Sequence, residues 1–278
     1  MLPLPPLLAC PPAEPGPVAV EILSTGEVPG SEHRVKTGGE KRELRLPVLV
    51  GALRHPSAGL TLVDAGFGAL NRAGDEPGPP FGFLRFDVPP GATAVEQLGE
   101  VPQRVLLTHT HYDHVGGLWD MPGAEVWITQ DDWQAAFTGG TGFPVRKLRD
   151  VVKFRPVRLS DNGADRVMGR PAVDVLGDGS VWYLSLPGHT PGAAAVLVRG
   201  TDGPWLFVGD TAWVDAHLHE ASRPWLTQAL VDADRRALAE SLAWARTVKA
   251  MCPSLQVVAG HEPSRAPAPK AGAAPPAG

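Results

Sequence analysis

The segment Thr108–Gly117 constrains this chain more than any other, because three histidines and one aspartate fall within six of its residues. They form the pattern His-x-His-x-Asp-His, with His109, His111, Asp113 and His114. Neutral imidazole and carboxylate are ligands that zinc prefers at catalytic sites. In an extended turn, His109 and His111 project the same way, and Asp113 is placed to cap a helix that turns His114 elsewhere. One short segment can therefore serve two neighbouring metal ions.

Six residues cannot fill two coordination shells, so further ligands must come from distant parts of the chain. Three candidates each follow a predicted strand and stand beside a glycine, which lets the backbone turn sharply. They are His189 in Pro-Gly-His-Thr-Pro-Gly, Asp210 in Val-Gly-Asp-Thr and His261 in Ala-Gly-His-Glu. Each of these three contexts alone is weak evidence for a metal ligand. Together with the first segment they indicate a metal site, since five of the nine histidines occupy such strand-end positions.

Short apolar runs, separated by glycine and proline turns, predict more strands than helices. The long helix that starts near Val231 carries a mostly apolar stripe and ends at Pro253. Strands come in groups with helices between the groups, which predicts an α/β (α+β) fold with two mixed sheets packed together and helices outside. Strands are predicted at 18–24, 44–54, 60–64, 103–108, 124–128, 153–159, 172–176, 180–186, 193–199, 204–208 and 255–259, and two shorter helices at 113–118 and 130–137.

The ordered motifs resemble those of the metallo-β-lactamase superfamily across residues 18–262. Hydrolases of that family include glyoxalase II-like thioesterases and acyl-homoserine lactonases. The resemblance implies a single catalytic domain, a four-layer αβ/βα sandwich of two mixed β-sheets with helices on the outer faces. It also implies a ligand set at one edge between the sheets: His109, His111 and His189 for a first metal, Asp113, His114 and His261 for a second, and Asp210 as the bridge.

The run Leu62–Gly66 resembles the family's early Asp-x-Gly motif, in which the aspartate supports the site from behind its ligands. The physical reason is that a carboxylate on the second ring nitrogen orients a ligating histidine. An ordinary turn at the end of a strand is the alternative interpretation of Asp64. The resemblance therefore implies a supporting role for this residue.

Such a site implies a metal-dependent hydrolase acting on a small-molecule lactone, ester or thioester. Two zinc ions, with iron or manganese as alternatives, would share a hydroxide that attacks a carbonyl carbon. Asp113 is the favoured proton carrier towards the leaving group. Two other hypotheses stay open: an iron enzyme resembling persulfide dioxygenases, and a non-catalytic metal-binding protein on the same scaffold.

Residues that would contact the substrate are harder to predict. Lactonases that resemble this chain often place a tyrosine three residues after the bridging aspartate, where this chain has Trp213. Tyr112 is a substitute donor or a packing residue. His217 and His219 are interpreted as surface or rim residues. The loops 66–92 and 211–226 carry aromatic side chains that either form an apolar substrate wall or pack the loops: Phe67, Phe81, Phe83, Phe86, Trp213 and Trp225.

The two ends of the chain are rich in proline, so residues 1–17 are predicted to be an unpacked leader and residues 263–278 a disordered tail. Leu7–Cys10 is similar to the lipobox of bacterial lipoproteins, which makes a lipid anchor at Cys10 and an exported or periplasmic location one hypothesis, with a cytoplasmic location as the other. Cys252 is predicted to be a buried free thiol, and a disulfide between Cys10 and Cys252 is the alternative.

Charge and hydropathy narrow the list of partners. The net charge is -5 without any basic block, which argues against a nucleic-acid partner because phosphates need a basic face. No run of 18 apolar residues is present, so no membrane-spanning segment is predicted. The sequence predicts a small-molecule substrate and makes no prediction of oligomeric state.

Overall fold

Two six-stranded sheets form the centre of the computed structural model, which describes residues 9–74, 86–138, 148–159 and 165–267. Strands lie close to the predicted runs, and one additional edge strand, Asp165–Val167, was not predicted. The strands are β1 (Ala19–Ser31), β2 (Glu43–His55), β3 (Gly59–Val63), β4 (Arg104–Leu106), β5 (Glu125–Thr129), β6 (Lys153–Val157), β7 (Asp165–Val167), β8 (Arg170–Asp174), β9 (Val181–Ser185), β10 (Ala194–Gly200), β11 (Gly203–Phe207) and β12 (Gln256–Val258).

Both sheets are mixed, as predicted. The first has the order β1-β2-β3-β4-β5-β6, in which β1 to β3 are antiparallel and β3 to β6 are parallel. The second has the order β12-β11-β10-β9-β8-β7, in which only β11 and β12 are parallel. Because β9, β11 and β12 run the same way, their carboxyl ends share one edge of the second sheet.

Seven α-helices lie in the described part of the chain. Helix α7 carries the apolar stripe predicted for it and packs on the second sheet. None of the described helices combines the length and apolar character needed to cross a membrane. The helices are α1 (Glu32–Val35), α2 (Ala69–Arg72), α3 (Ala94–Leu98), α4 (Tyr112–Val115), α5 (Gln130–Thr138), α6 (Trp225–Val231) and α7 (Arg235–Met251).

The space between the sheets is filled by apolar side chains from both, and a second cluster lies between the first sheet and helices α3 and α4. Hydrogen bonds also cross between the sheets: Tyr183 Oη donates to the Leu107 carbonyl at 2.6 Å, and Ala194 N donates to the Thr108 carbonyl at 2.7 Å. The layers are therefore helix, sheet, sheet and helix, which confirms the αβ/βα sandwich. The inner cluster includes Leu53, Val63, Leu106, Trp127, Tyr183, Val196 and Phe207.

Two helix boundaries differ from the predictions. Helix α4 begins at Tyr112 with His111 at its N-cap, so Asp113 lies in the first turn and does not cap it. The long helix predicted from near Val231 is α7, which begins only at Arg235 because the chain is extended at Asp232 and Asp234, and Asp234 caps α7 through Arg236 N and Ala237 N. Helix α6, which ends at Val231, was not predicted. Aspartate favours such caps because its side chain accepts from free N–H groups of the first turn.

The N-terminal segment is tied to the body of the protein. Cys10 and Cys252 form a disulfide, and Gly16 N donates to the Gly200 carbonyl at 2.7 Å. The predicted leader is thus attached to the body at Cys10 and Gly16, although most of residues 9–17 are exposed, and the predicted free thiol at Cys252 is wrong. A lipid anchor at Cys10 is incompatible with this bond, because lipidation would use the same sulfur.

The described part of the predicted tail also has local structure. Pro263–Arg265 form a 3₁₀ turn, and Glu262 Oε1 accepts from Ser264 N at 3.0 Å. The prediction of a disordered tail is wrong for this turn. The rest of that prediction, from residue 268 onwards, and residues 1–8 of the leader lie outside the described residues.

Candidate metal centre

The predicted ligands converge at one edge of the sandwich, where several strands end. His109 and His111 follow β4, whereas His189, Asp210 and His261 follow β9, β11 and β12. Asp113 and His114 lie on α4. Glycines make the close approach feasible: a Cβ at position 188 would strike the backbone of α7, and one at 260 would strike the Asp210 carboxylate. The strand-end glycines of the sequence are therefore packing requirements of this site.

Three histidines and one aspartate form the first part of the site. His189 Nε2 lies 2.8 Å from His111 Nδ1 and 3.3 Å from Asp210 Oδ2, and His109 Nε2 lies 3.9 Å from the same oxygen. Atoms of all four residues lie within 4.8 Å of one another, as a shared metal ion requires. We call His109, His111 and His189 the first ligand group.

Asp113, His114 and His261 form the second ligand group, and their ligand atoms also lie within 4.8 Å of one another. His114 Nε2 and His261 Nε2 lie 3.7 Å and 3.5 Å from Asp113 Oδ2. Both nitrogens also face Asp210 Oδ1, at 3.3 Å and 3.2 Å. Asp210 therefore stands between the two groups, with one oxygen turned towards each.

The donor set fits two metal ions on observations of the protein alone. His109 Nε2, His114 Nε2 and Asp210 Oδ1 are buried and make no hydrogen bond within the described residues. Buried polar atoms normally have a hydrogen-bond partner or bind an ion, so these atoms need a binding partner. The nitrogens of His111 and His189 face each other at 2.8 Å, which repels unless a proton or a cation lies between them. Metal ions placed among these atoms would satisfy all of them.

The second ligand group is supported from the interior. Asp64 Oδ2 accepts from His114 Nδ1 at 2.8 Å and from the Thr108 hydroxyl at 2.7 Å. His261 Nδ1 donates to the Pro47 carbonyl at 3.0 Å. Asp64 has a positive φ of 62°, a conformation that aspartate tolerates better than most residues. These contacts hold the outer nitrogens and turn Nε2 of both histidines inward.

The first ligand group has a support that the sequence analysis missed. His189 Nδ1 lies 2.7 Å from Asp232 Oδ1, and the same oxygen accepts from Arg223 Nη1 at 2.7 Å. Both residues lie outside every motif, 34 and 43 positions from His189. Asp232 falls inside the span predicted for the long helix, so no sequence feature singled it out.

Burial sets the charge of the first ligand group. It lowers the pKa of His109 and His111 well below the ordinary value, and neighbouring histidines lower it further. Both imidazoles are therefore neutral at physiological pH. Neutral imidazole is the form that coordinates a metal ion.

Carboxylates set the charge of the second ligand group. Burial alone would lower the pKa of His114, but Asp64 and Asp210 outweigh it and hold that pKa well above the ordinary value. Burial likewise lowers the pKa of His261, and Asp210 reverses the effect. Burial would raise the pKa of Asp210, yet His261 and His114 keep it well below its usual range. This half of the site is built around an ionised carboxylate.

Trp213 and Tyr112 occupy different environments. Trp213 is half-buried, and its Nε1 donates to Asp210 Oδ2 at 2.7 Å. Tyr112 is 8% exposed and stacks on Phe86 with ring centroids 5.7 Å apart. Tyr112 is thus a packing residue in this structure, whereas Trp213 borders the ligands.

The other aromatic and histidine candidates divide in the same way. Phe67 is fully buried, and Trp225 is 70% exposed. The interpretation of His217 as a rim residue is wrong: it is 1% exposed, accepts from Trp213 N at Nδ1 and donates from Nε2 to the Val35 carbonyl. His219 is exposed, as predicted. Phe81 and Phe83 lie outside the described residues.

Comparison with known sequences agrees with the site. The chain is 30% identical over 270 residues to the N-acyl homoserine lactonase AttM of Azorhizobium caulinodans, with 90% of this chain and 95% of the relative covered. It is 29% identical over 236 residues to the probable metallo-hydrolase Rv2300c of Mycobacterium tuberculosis, with 74% and 71% covered. The match therefore covers nearly the whole of the first relative and most of the second.

Solved structures share the fold. A B. thuringiensis AiiA variant with N-decanoyl-L-homoserine at its active site superposes with a TM-score of 0.70, at 16% identity over 88% of this chain and 94% of that one. AidC, a dizinc quorum-quenching lactonase in complex with a product, gives a TM-score of 0.59 at 16% identity, with 90% and 89% covered. The model of the metallo-beta-lactamase superfamily matches residues 45–261, most of the chain. The chain belongs to the metallo-β-lactamase superfamily, among its hydrolases.

Proposed function

We propose that the protein is a dinuclear zinc hydrolase that opens the ring of a small-molecule lactone. The observation that carries the proposal is the position of Asp210. Its Oδ2 lies 3.3 Å from His189 Nε2, and its Oδ1 lies 3.3 Å from His114 Nε2. A buried carboxylate whose oxygens face two separate sets of imidazoles is suited to bridge two metal ions.

Zinc is favoured by the chemistry of the donors. Five imidazoles and two carboxylates, without a thiolate, are typical of a catalytic zinc site with room for substrate. The dizinc lactonase that shares this fold supports the same choice. Iron and manganese remain the alternatives that metal analysis would separate.

When bound, the metal ions would supply a nucleophilic oxygen near neutral pH and a positive charge for the carbonyl oxygen. Asp113 is the side chain that we assign to proton movement. Its side chain is 19% exposed, whereas that of Asp210 is 5% exposed, so Asp113 can face both the ligands and a substrate. Its carboxylate would accept the proton of the attacking water and release it to the ring oxygen as the C–O bond breaks, giving a hydroxy acid.

N-acyl homoserine lactones are the first substrate class to consider, because relatives covered over most of their length carry that activity in their names. The indole N–H of Trp213 is already donated to Asp210, so the part of Trp213 left for substrate is its apolar ring. The proposal therefore assigns Trp213 an apolar contact with the lactone or its substituent. Esters and thioesters are the other candidate substrates.

The test combines metal analysis with a substrate panel. Acid release would be followed on N-acyl homoserine lactones of short and long acyl chain, a p-nitrophenyl ester and a thioester. We expect two zinc ions per chain and lactone opening that is lost after chelation and restored by zinc. His111→Ala should abolish both the activity and one of the two zinc sites.

His219→Ala is the matched control, because His219 is exposed and lies outside both ligand groups. It should retain the activity and the zinc content of the parent. Equal activity in His111→Ala and the parent would refute the catalytic assignment. One iron per chain without hydrolysis of any panel member would replace it with an iron enzyme.

We also propose that the protein works in an oxidising compartment. The Cys10–Cys252 disulfide supports this location, because such bonds persist outside the reducing cytosol. Alkylation of the denatured protein isolated from its own cells would measure the free thiols. No labelled cysteine before reduction and two after it is the expected result; two labelled cysteines before reduction would contradict the proposal.

A further inference from the structure

Helix α6 lies at the surface and has no buried residue, yet charged side chains beside both its ends are buried. The helix contains no buried residue, and Trp225 and Leu230 are 70% and 65% exposed. The side chains of Arg223 and Asp232 are 2% and 0% exposed. Burying charged groups is costly unless they are paired, so this arrangement needs a compensating interaction.

Asp232 forms a hydrogen bond with His189, one of the histidines of the first ligand group. Its Oδ1 lies 2.7 Å from His189 Nδ1, on the side of the ring away from the other ligands. If Nδ1 carries the proton and donates it to Asp232, Nε2 keeps the lone pair that faces Asp210 Oδ2 at 3.3 Å. Asp232 thus selects the tautomer of His189 that can coordinate a metal ion.

Arg223 joins this carboxylate to Asp210. Its Nη1 donates to Asp232 Oδ1 at 2.7 Å, and its Nη2 donates to the carbonyls of Asp210 and Thr211. The guanidinium carbon lies 4.6 Å from the ring centroid of Trp213, the residue that donates to the Asp210 carboxylate. One cation therefore contacts the support of His189, the backbone of Asp210 and the side-chain partner of Asp210.

The guanidinium would favour the opposite tautomer of His189 if Asp232 were lost. Arg223 Nη1 and His189 Nδ1 lie 3.2 Å apart, because both point at the same carboxylate oxygen. If Asp232 were absent, Arg223 would be the neighbour of Nδ1 and would favour the tautomer with the proton on Nε2. That tautomer has no lone pair for the metal ion at Nε2.

We propose that Arg223 and Asp232, at the two ends of α6, are positioning residues that hold His189 and Asp210 in the geometry and tautomer needed for the first metal ion. This inference rests on the proposed function, since it requires a metal ion at the first ligand group. Neither residue is catalytic, because both contact the ligands from outside the group. Through Arg223 and Asp232, helix α6 would help to hold two of the metal ligands in place.

The experiment measures zinc affinity in Asp232→Asn and in the parent, by stepwise competition with a chelating dye. Asp232→Asn preserves shape and removes the charge. It should weaken one of the two zinc sites about 10–100-fold, as loss of a carboxylate behind a ligating histidine does. The absorption spectrum of the cobalt-loaded protein should change with it, and kcat should fall more than KM rises.

Asp234→Asn is the matched control. It makes the same chemical change two residues away, at an exposed carboxylate that caps α7. Its zinc affinities and cobalt spectrum should equal those of the parent. Thermal unfolding of each variant separates lost affinity from lost fold.

Affinities of folded Asp232→Asn within twofold of the parent would overturn the inference. If Asp232→Asn does not fold, Arg223→Lys takes its place: it keeps the charge but cannot reach both Asp232 and the Asp210 carbonyl. Unchanged affinities there would also overturn the inference. A parent that binds no zinc refutes the proposed function instead, so the two failures are distinguishable.

Discussion

The two ligand groups are supported by different elements of the fold. Asp64, which holds His114, lies at the end of β3 beneath the ligands, and a carbonyl of β2 holds His261. His189 is held by Asp232 and Arg223, which bracket an exposed surface helix. The histidines of the second ligand group thus depend on the first sheet, and His189 of the first group depends on the loops around α6.

The metal centre therefore combines ligands supported by the first sheet with one ligand, His189, that is supported at the surface. The contacts behind the second ligand group are made by Asp64, directly after β3, and by the Pro47 carbonyl within β2, and these two strands are paired in the first sheet. In the first ligand group, His189 is held by the segment 223–234, whose helix has no buried residue, whereas His109 Nδ1 lies 3.1 Å from the Thr108 hydroxyl. Sequence variation near α6 should therefore tune the first metal site and leave the second one largely intact.

Asp210 is the residue shared by both halves, so its loss should have the largest effect. Asp210→Ala removes a ligand atom from each group and leaves five imidazoles without their ionised partner. We expect zinc affinity at both sites and kcat to fall by more than the roughly 100-fold upper range for a supporting residue. Titration of zinc and lactone assays would measure both. A decrease in zinc affinity at only one of the two sites would contradict the assignment of Asp210 to both halves.

Asp64→Asn should affect the second half selectively. The carboxylate accepts from Thr108 N at Oδ1 and from the Thr108 hydroxyl and His114 Nδ1 at Oδ2. An amide has only one acceptor oxygen, so its NH2 group would face one or more of these donors. We expect a loss of about 10–100-fold in affinity at one zinc site, with the first ligand group retaining its zinc. The cobalt spectra of Asp64→Asn and Asp232→Asn should differ from each other; identical spectra would show that the halves are not independent.

His217 supports the loop that carries Asp210 and Trp213, and it should act on stability. Burial lowers the pKa of His217 to about 4, from an ordinary value of 6.5. The unfolded chain therefore binds the proton more readily, and the stability from the neutral ring is lost as pH falls from 6.5 towards 4. At pH 5 the loss is about 2 kcal/mol. Urea unfolding at pH 7 and 5 should show a smaller pH effect in His217→Gln than in the parent; an equal pH effect would contradict this.

Trp213→Phe should have the smallest effect on the site. It removes one hydrogen bond to the Asp210 carboxylate and keeps an aromatic ring beside Arg223. A hydrogen bond to a charged group contributes about 1.5–3 kcal/mol, and the zinc ions would compensate part of that loss. We expect a decrease of about tenfold or less in kcat/KM. A decrease as large as that of Asp210→Ala would mean that Trp213 acts directly on substrate.

The parts of the site that lie in contiguous motifs could be predicted from the sequence. The spacing of His109, His111, Asp113 and His114 predicted a metal-binding segment. His189, Asp210 and His261 were predicted as further ligands because each follows a glycine at a strand end. The grouping of the strands into two mixed sheets followed from the same pattern together with the family resemblance, whereas the order of strands within each sheet was not predicted. Local sequence determines these features because a strand end and its turn need particular residue types within a few positions.

Contacts between distant residues could not be predicted in the same way. Arg223 and Asp232 meet His189 only because α6 and α7 are separated by an extended segment at 232–234. The Cys10–Cys252 disulfide joins residues 242 positions apart, and the proline content of the leader pointed away from it. In each case tertiary packing, which leaves no periodic trace in the sequence, decides the partner.

The most direct test of the account is anomalous diffraction at the zinc edge from crystals of the zinc-loaded protein. It should reveal two peaks roughly 3.5–4 Å apart, one beside each oxygen of Asp210. The peak at the first ligand group should weaken in Asp232→Asn, and the other should weaken in Asp64→Asn. A single peak, or two peaks that do not flank the Asp210 carboxylate, would contradict the account.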